Sequence, residues 1–290
     1  MEFKIKNKYL ELVVSSHGAE KQSLVCLENN INYLRDVDEY WNRHAPLLFP
    51  IVGKLRDLKT IINNKEYSMK QHGFVRDMEF ELYNQTENQI TLVNTYNEET
   101  LKMYPFKYKV LVTYTLDEKT LHTEFKVVNE DYQVIPFNYG GHPGFRCPLY
   151  KDEKFEDYSV VFEKTENFNA PLVKVENGTL DFDHTIEYKN IDKIDLEYKY
   201  FELDAIVIPN VKSQSVKLVN KDNKGVKFDF KGFPSLAIWT KPNAPFVCLE
   251  PWIGYADKYN SNYNFIEKDN MQFLNPEEEF KVTYSITILN

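Results

Sequence analysis

Apolar and polar residues alternate with a period of two along most of this chain of 290 residues. In FKYKVLVTYTL, 106–116, the residues Tyr108, Val110, Val112, Tyr114 and Leu116 fall on one face. Beyond a tip at Asp117–Thr120, LHTEFKVVN continues the pattern with Leu121, Thr123, Phe125 and Val127. Successive side chains of a strand point to opposite faces, so the two runs predict a hairpin with one buried face. Similar runs predict strands at 89–96, 201–208, 215–220, 227–233, 235–241, 245–252 and 280–289, and MEFKIKNKYLELVVSS reads as the first strand. Asn-Asn at 29–30 and 63–64, NKDNKG at 220–225 and KPNAP at 241–245 supply turns between them. Helical periodicity is confined to YNEETLKMYP, 96–105, with Asn97 as N-cap and Pro105 as stop, and to a single turn in DEYWNRHAP, 38–46. No linker and no internal repeat divides the chain. The expectation is an all-β fold, a large antiparallel β-sandwich with few short helices, in one domain over 1–290.

Composition narrows the function classes. Hydrophobic residues make up 42% of the chain, enough for a large core, which excludes global disorder. A net charge of −9 repels phosphate backbones, so no nucleic-acid partner is expected. Cys26, Cys147 and Cys248 form no C-x-x-C pair, which suggests reduced thiols in a cytoplasmic protein. The N-terminus lacks the apolar core of a signal peptide and no run reaches membrane-spanning length, so no membrane partner is expected. Dinucleotide, phosphate-loop and Gly-x-Ser-x-Gly fingerprints are absent, and no cofactor is expected. Nothing in the pattern speaks to oligomeric state.

Two passages carry chemistry. FNYGGHPGFRCPLY, 137–150, sets His142 between Gly140-Gly141 and Pro143-Gly144. A residue before proline is held extended, and flanking glycines let another group approach the backbone closely. The plain alternative is a tight loop that happens to contain a histidine. PFVCLEPWIGYAD, 245–257, places Glu250 before Pro251, and alternation puts Cys248 and Glu250 on the face opposite Val247 and Leu249. A glutamate in so apolar a strand costs several kcal/mol unless it has a partner, an open cleft or a task. If KPNAP closes a hairpin, Trp239 shares the face of Glu250, and an aromatic plate beside an anionic acceptor suits a polyhydroxylated ring. His122 and His184 read as structural or solvated, as does His17; His44 is ambiguous. His142 with Cys147, or Cys248 with Glu250, matches no common zinc spacing, so no metal is assigned.

WNRHAPLLFPIVGKLRD, QHGFVRDMEFEL, FNYGGHPGFRCPL, LDAIVI and FVCLEPWIGYAD together resemble the aldose 1-epimerase (galactose mutarotase-like) family, particularly its short bacterial branch. The likeness runs over the whole chain and implies a β-supersandwich. It also implies Glu250 as general base, His142 as general acid, and His72 as a second histidine orienting the sugar. Asp204 would hold sugar hydroxyls, with Arg43 facing the substrate and Arg76 as a further candidate. Lys54 and Arg56 are unassigned, and residues 150–200 match no motif and should vary in loop detail. The implied partner is a small sugar, free or phosphorylated, and the implied reaction is interconversion of α and β anomers. In that chemistry Glu250 is ionised near neutrality and His142 starts protonated, assisted by Glu250 and Asp204. Three alternatives stand beside it: a hexose-6-phosphate 1-epimerase, a non-catalytic carbohydrate-binding protein, and a structural sandwich with Glu250 salt-bridged in the core.

Overall fold

A computed structural model describes residues 1–290. Nine strands form the larger sheet, in the spatial order Thr179–Asp195, Tyr158–Lys174, Ser215–Asn220, Gly225–Asp229, Glu279–Leu289, Thr120–Asn129, Tyr108–Asp117, Gln89–Thr95 and Glu81–Gln85. A six-stranded sheet runs Ile206–Ile208, Ser235–Trp239, Phe246–Ile253, Tyr139–Gly141 and Leu47–Leu48, with Gly144–Arg146 also paired to Phe246–Ile253. A four-stranded sheet holds the N-terminus, Glu2–Lys6 to Ile31–Asn32. The pairings within these sheets are antiparallel, as in a β-sandwich. Aromatic side chains join the two larger sheets: the rings of Phe125 and Tyr139 stack at 3.7 Å, and Phe145 meets Phe228 edge-on.

The central hairpin has the register read from the alternation, from Tyr108 opposite Asn129 to Asp117 opposite Thr120. Tyr108, Val110, Val112, Tyr114 and Leu116 are buried, and their neighbours are partly exposed. One α-helix, Glu98–Met103, is capped by the Asn97 side chain, which accepts from the N–H groups of Glu99 and Thr100.

Four expectations need correction. The N-terminal run makes two strands, Glu2–Lys6 and Leu10–Ser15, because the Asn7 carboxamide accepts from the N–H groups of Tyr9 and Leu10 and turns the chain. The segment 38–46 contains no helix. The Asp38 carboxylate takes the N–H groups of Tyr40 and Trp41, and the Arg35 guanidinium takes the carbonyls of Trp41 and Arg43, so local side-chain bonds replace the helical ladder. Of 201–208 only Ile206–Ile208 is strand, since Tyr198–Phe201 forms a 3₁₀ turn and Asp204 has φ 90°. Residues 150–200, which match no motif and where the alternation predicts no strand, contain the two longest strands, Tyr158–Lys174 and Thr179–Asp195, of 17 residues each. Register shifts near Glu166 and Pro171 break their alternation.

Candidate functional site

Strand pairing brings the two proline-flanked motifs together. Gly140 pairs with Trp252 and Gly144 with Cys248, so His142 lies across from Glu250 where the chain passes between the two short strands. On the other side of the same strand Ala237 pairs with Glu250 and Trp239 with Cys248. Trp239 and Glu250 therefore share a face, and the small side chain of Ala237 leaves room beside the carboxylate.

That face floors a cavity of about 450 Å³. Glu250, His142, His72, Asp204, Arg43, Arg76 and Trp239 all line it. Trp41, Asn42, Gln71, Lys241 and Trp252 line it as well, and none of these was singled out from sequence. Trp252 was legible, since it follows Glu250 by two residues on the same strand face. Trp41 and Gln71 stand within or beside the motifs already quoted. Lys54 and Arg56 are not in the lining. Arg56 instead donates to the carbonyl of Ser261.

His142 Nε2 stands 3.1 Å from Glu250 Oε2, and both residues are buried. The approach is oblique, so Glu250 Oε2 has no hydrogen-bond partner in the protein; nor do His142 Nδ1, Trp252 Nε1 or Arg76 Nε. These polar groups, unpartnered by the protein on residues that line one cavity, suit a ligand rich in hydroxyl groups. The His142 ring is flanked by Trp41 at 4.7 Å, His72 at 5.5 Å and Trp239 at 5.6 Å between centroids.

The site's electrostatics depart from the ordinary protonation expected of these side chains. Burial raises the Glu250 carboxyl well above the usual carboxylate range, and the negative charge of Asp204 adds to it. Burial, reinforced by the Arg76 guanidinium, lowers His142 to about 3. The protein surroundings thus favour a neutral carboxyl beside a neutral imidazole, not the ionised glutamate and imidazolium that exposed groups would form.

His72 has φ 67° and is buried. Its Nδ1 accepts from the N–H of Gly53 at 3.0 Å, which leaves the ring proton on Nε2. Burial, then the Arg76 charge, holds it well below the usual histidine value, so it is a neutral donor. Asp204 as a residue is exposed, but protein atoms crowd its carboxyl and this partial desolvation raises its proton affinity.

The two arginines are braced from behind. Arg43 pairs with Asp77 and donates to the carbonyl of Arg76 at 3.2 Å. Arg76 donates to the carbonyl of Gln71 at 2.7 Å, and burial lowers it to about 10. Glu20, buried, accepts from the N–H groups of His44 and Ala45 and fixes the entry to the 47–48 strand. Arg35, also buried, holds the loop that carries Trp41 and packs over the rings of Trp41 and Phe246. His17, His122 and His184 lie outside the cavity, bonded to Glu79, Ser285 and Asp181.

The model of the family described as aldose 1-epimerase matches residues 1–287. This chain belongs to the aldose 1-epimerase family. Its sequence is 38% identical over 300 residues to protein LacX (plasmid) of Lactococcus lactis subsp. lactis, with 100% of both chains covered. Its fold is similar to that of a galactose mutarotase related enzyme from Lactobacillus acidophilus, at TM-score 0.95 and 32% identity, covering 100% of this chain and 98% of the other. It is also similar to a galactose mutarotase-like protein from Lactobacillus casei, at TM-score 0.90 and 28% identity, with 100% of both covered. Within this epimerase-family fold the antiparallel sheets, the cavity and the motifs belong to one arrangement. No helix is long and apolar enough to cross a membrane.

Proposed function

We propose that the protein is an aldose 1-epimerase that interconverts the α and β anomers of a hexose by acid–base ring opening and closure. The observation that supports this most directly is the 3.1 Å approach of His142 and Glu250 within one aromatic-walled cavity. Ring opening needs a base for the anomeric hydroxyl and an acid for the ring oxygen. The bond from C1 to the ring oxygen breaks, the aldehyde turns about C1–C2, and closure on the other face reverses the proton transfers. Glu250 is assigned as base and His142 as acid. The neutral pair and the ion pair contain the same protons, so passing one proton from Glu250 to His142 prepares the reactive form. Sugar hydroxyls donating to Glu250 favour its anion. His72 offers its Nε2 proton to a sugar oxygen, Asp204 accepts from hydroxyls, Arg43 and Arg76 face the sugar's oxygens, and Trp239 packs on its apolar face.

Glu250→Gln should keep a saturation-transfer binding signal with sugar and lose anomer exchange by about 10²–10⁴-fold, the usual worth of a general base. His142→Asn should do the same, while His72 variants retain more rate. Exchange near the wild-type rate in Glu250→Gln removes this reading. Binding without exchange in the wild type would leave a carbohydrate-binding protein.

A second reading, a hexose-6-phosphate 1-epimerase, is favoured by the desolvated Arg76, whose Nε has no protein partner, and by Lys241 in the lining of the same cavity. Turnover of glucose against glucose 6-phosphate separates the two.

A further inference from the structure

The mechanism above makes no use of Cys248, yet the fold places it with the two groups that the mechanism does use. Strand alternation sets Cys248 and Glu250 on one face, two residues apart, and cross-strand pairing brings His142 to the same spot. The ligand-capable atoms of His142, Cys248 and Glu250 all lie within 4.8 Å of one another, and all three residues are buried. Linear spacing gives no hint of this set, because the histidine comes from a distant segment.

We propose that His142, Cys248 and Glu250 form a binding site for a soft divalent transition ion, Zn²⁺ being the type case, and that this ion competes with sugar for the cavity. Three observations carry the proposal. First, the donor set is one nitrogen, one sulfur and one carboxylate oxygen, the ligand types zinc takes. Second, the geometry is close to what the ion requires. Zinc bonds of 2.0–2.2 Å to nitrogen and oxygen imply a tetrahedral edge of about 3.3 Å, and the His142–Glu250 edge is 3.1 Å. A bond of ~2.3 Å to sulfur implies edges of about 3.6 Å, and the Cys248 thiol, within 4.8 Å of both other donors, has to turn toward them to complete the set. Third, Glu250 Oε2 is buried and has no hydrogen-bond partner in the protein. The charges also close. The protons of the Cys248 thiol and of the neutral Glu250 carboxyl both leave to solvent, and Zn²⁺ with a thiolate, a carboxylate and a neutral imidazole is neutral overall, the form a buried site tolerates best. His142 and Glu250 line the cavity and Cys248 lies behind its wall, so an ion bound to the three sits at the cavity surface. An ion held there engages both the assigned base and the assigned acid, so it blocks proton transfer.

The coordination part stands on geometry alone, whereas the inhibitory part rests on the epimerase reading. The test uses the full chain, stripped with a chelator and titrated with Co²⁺ and then Zn²⁺. Expected are intense visible bands of tetrahedral cobalt with a near-ultraviolet thiolate-to-cobalt band, both erased by zinc. Cys248→Ser, which preserves size, should lose the near-ultraviolet band. It should also weaken zinc binding by more than about a hundredfold, beyond the ~10–100-fold that losing an outer partner costs. If that variant does not melt cooperatively, the wild-type spectrum and the zinc affinity of His142→Asn decide instead. A weak octahedral cobalt spectrum without the near-ultraviolet band overturns the site, as does equal zinc affinity in wild type and Cys248→Ser. In an anomer-exchange assay zinc should raise the apparent KM with kcat unchanged, and a chelator should restore it. A thiolate–cobalt band in a protein that exchanges no anomers would uphold the site and remove the epimerase reading. Exchange indifferent to saturating zinc, with no such band, would do the reverse.

Discussion

At Glu250 and His142 a single cause, removal from water, acts in opposite senses. It raises the carboxyl and lowers the imidazole to about 3, since each loses hydration of its charged form. Between pH 3 and the raised value of Glu250 the pair therefore keeps one shared proton. On the acid side that state ends when His142 takes up a second proton, near 3 and not near the ordinary 6.5. The expected profile of kcat/KM for anomer exchange consequently shows no acid limb from His142 between about pH 7 and 5, because this parameter reports the free enzyme's ionisations. NMR exchange measurements across that range check it, and an acid limb centred near 6.5 would show that burial does not control His142. The seven residues nominated from motifs line one cavity, but their protonation was not legible. A sequence shows which groups titrate, not how much water they keep.

Among the elements, those with local signals were the most legible. The hairpin of Tyr108–Asp117 and Thr120–Asn129 and the helix behind Asn97 each owe their form to residues within a few positions. Asn97→Ala removes an acceptor serving two helix N–H groups, away from the cavity. It should cost about 1 kcal/mol, seen as a lower Tm, with anomer exchange unchanged. Where a distant or competing contact intervenes, the local reading fails. The 38–46 segment gives up its helix to Asp38 and to the buried Arg35 guanidinium, and that loop then sets Trp41 over His142. The 17-residue strands at 158–174 and 179–195 hide behind register shifts, which move apolar residues off a strict period of two.

At the scale of the whole molecule, Lys21 joins the three largest sheets. It rises from the N-terminal sheet and donates to the hydroxyl of Tyr284 in the nine-stranded sheet at 2.8 Å, and that ring covers Gly141 in the six-stranded sheet. A Cβ on Gly141 would meet the Tyr284 ring at 2.8 Å, so the glycine allows this closure beside His142. Burial lowers the Lys21 amine from 10.5 to about 7, so the unfolded chain binds more protons between those values. Stability should then rise with pH across that window, on the order of 4 kcal/mol from this group. The penalty is fully present below pH 7. Lys21→Met should raise Tm most at pH 6–7, with the gain shrinking toward pH 10; calorimetry at both ends checks it, and a constant gain would rule out the titration. Alternation along the chain was enough to establish strands, their buried faces and the all-β class, and to put Cys248, Glu250 and Trp252 on one side of one strand. Pairing between remote segments was needed to set His142 opposite Glu250, to choose the path of the Trp41 loop and to bury Lys21. A period of two is a property of neighbours in sequence, whereas proximity and lost hydration arise only when distant segments close on one another.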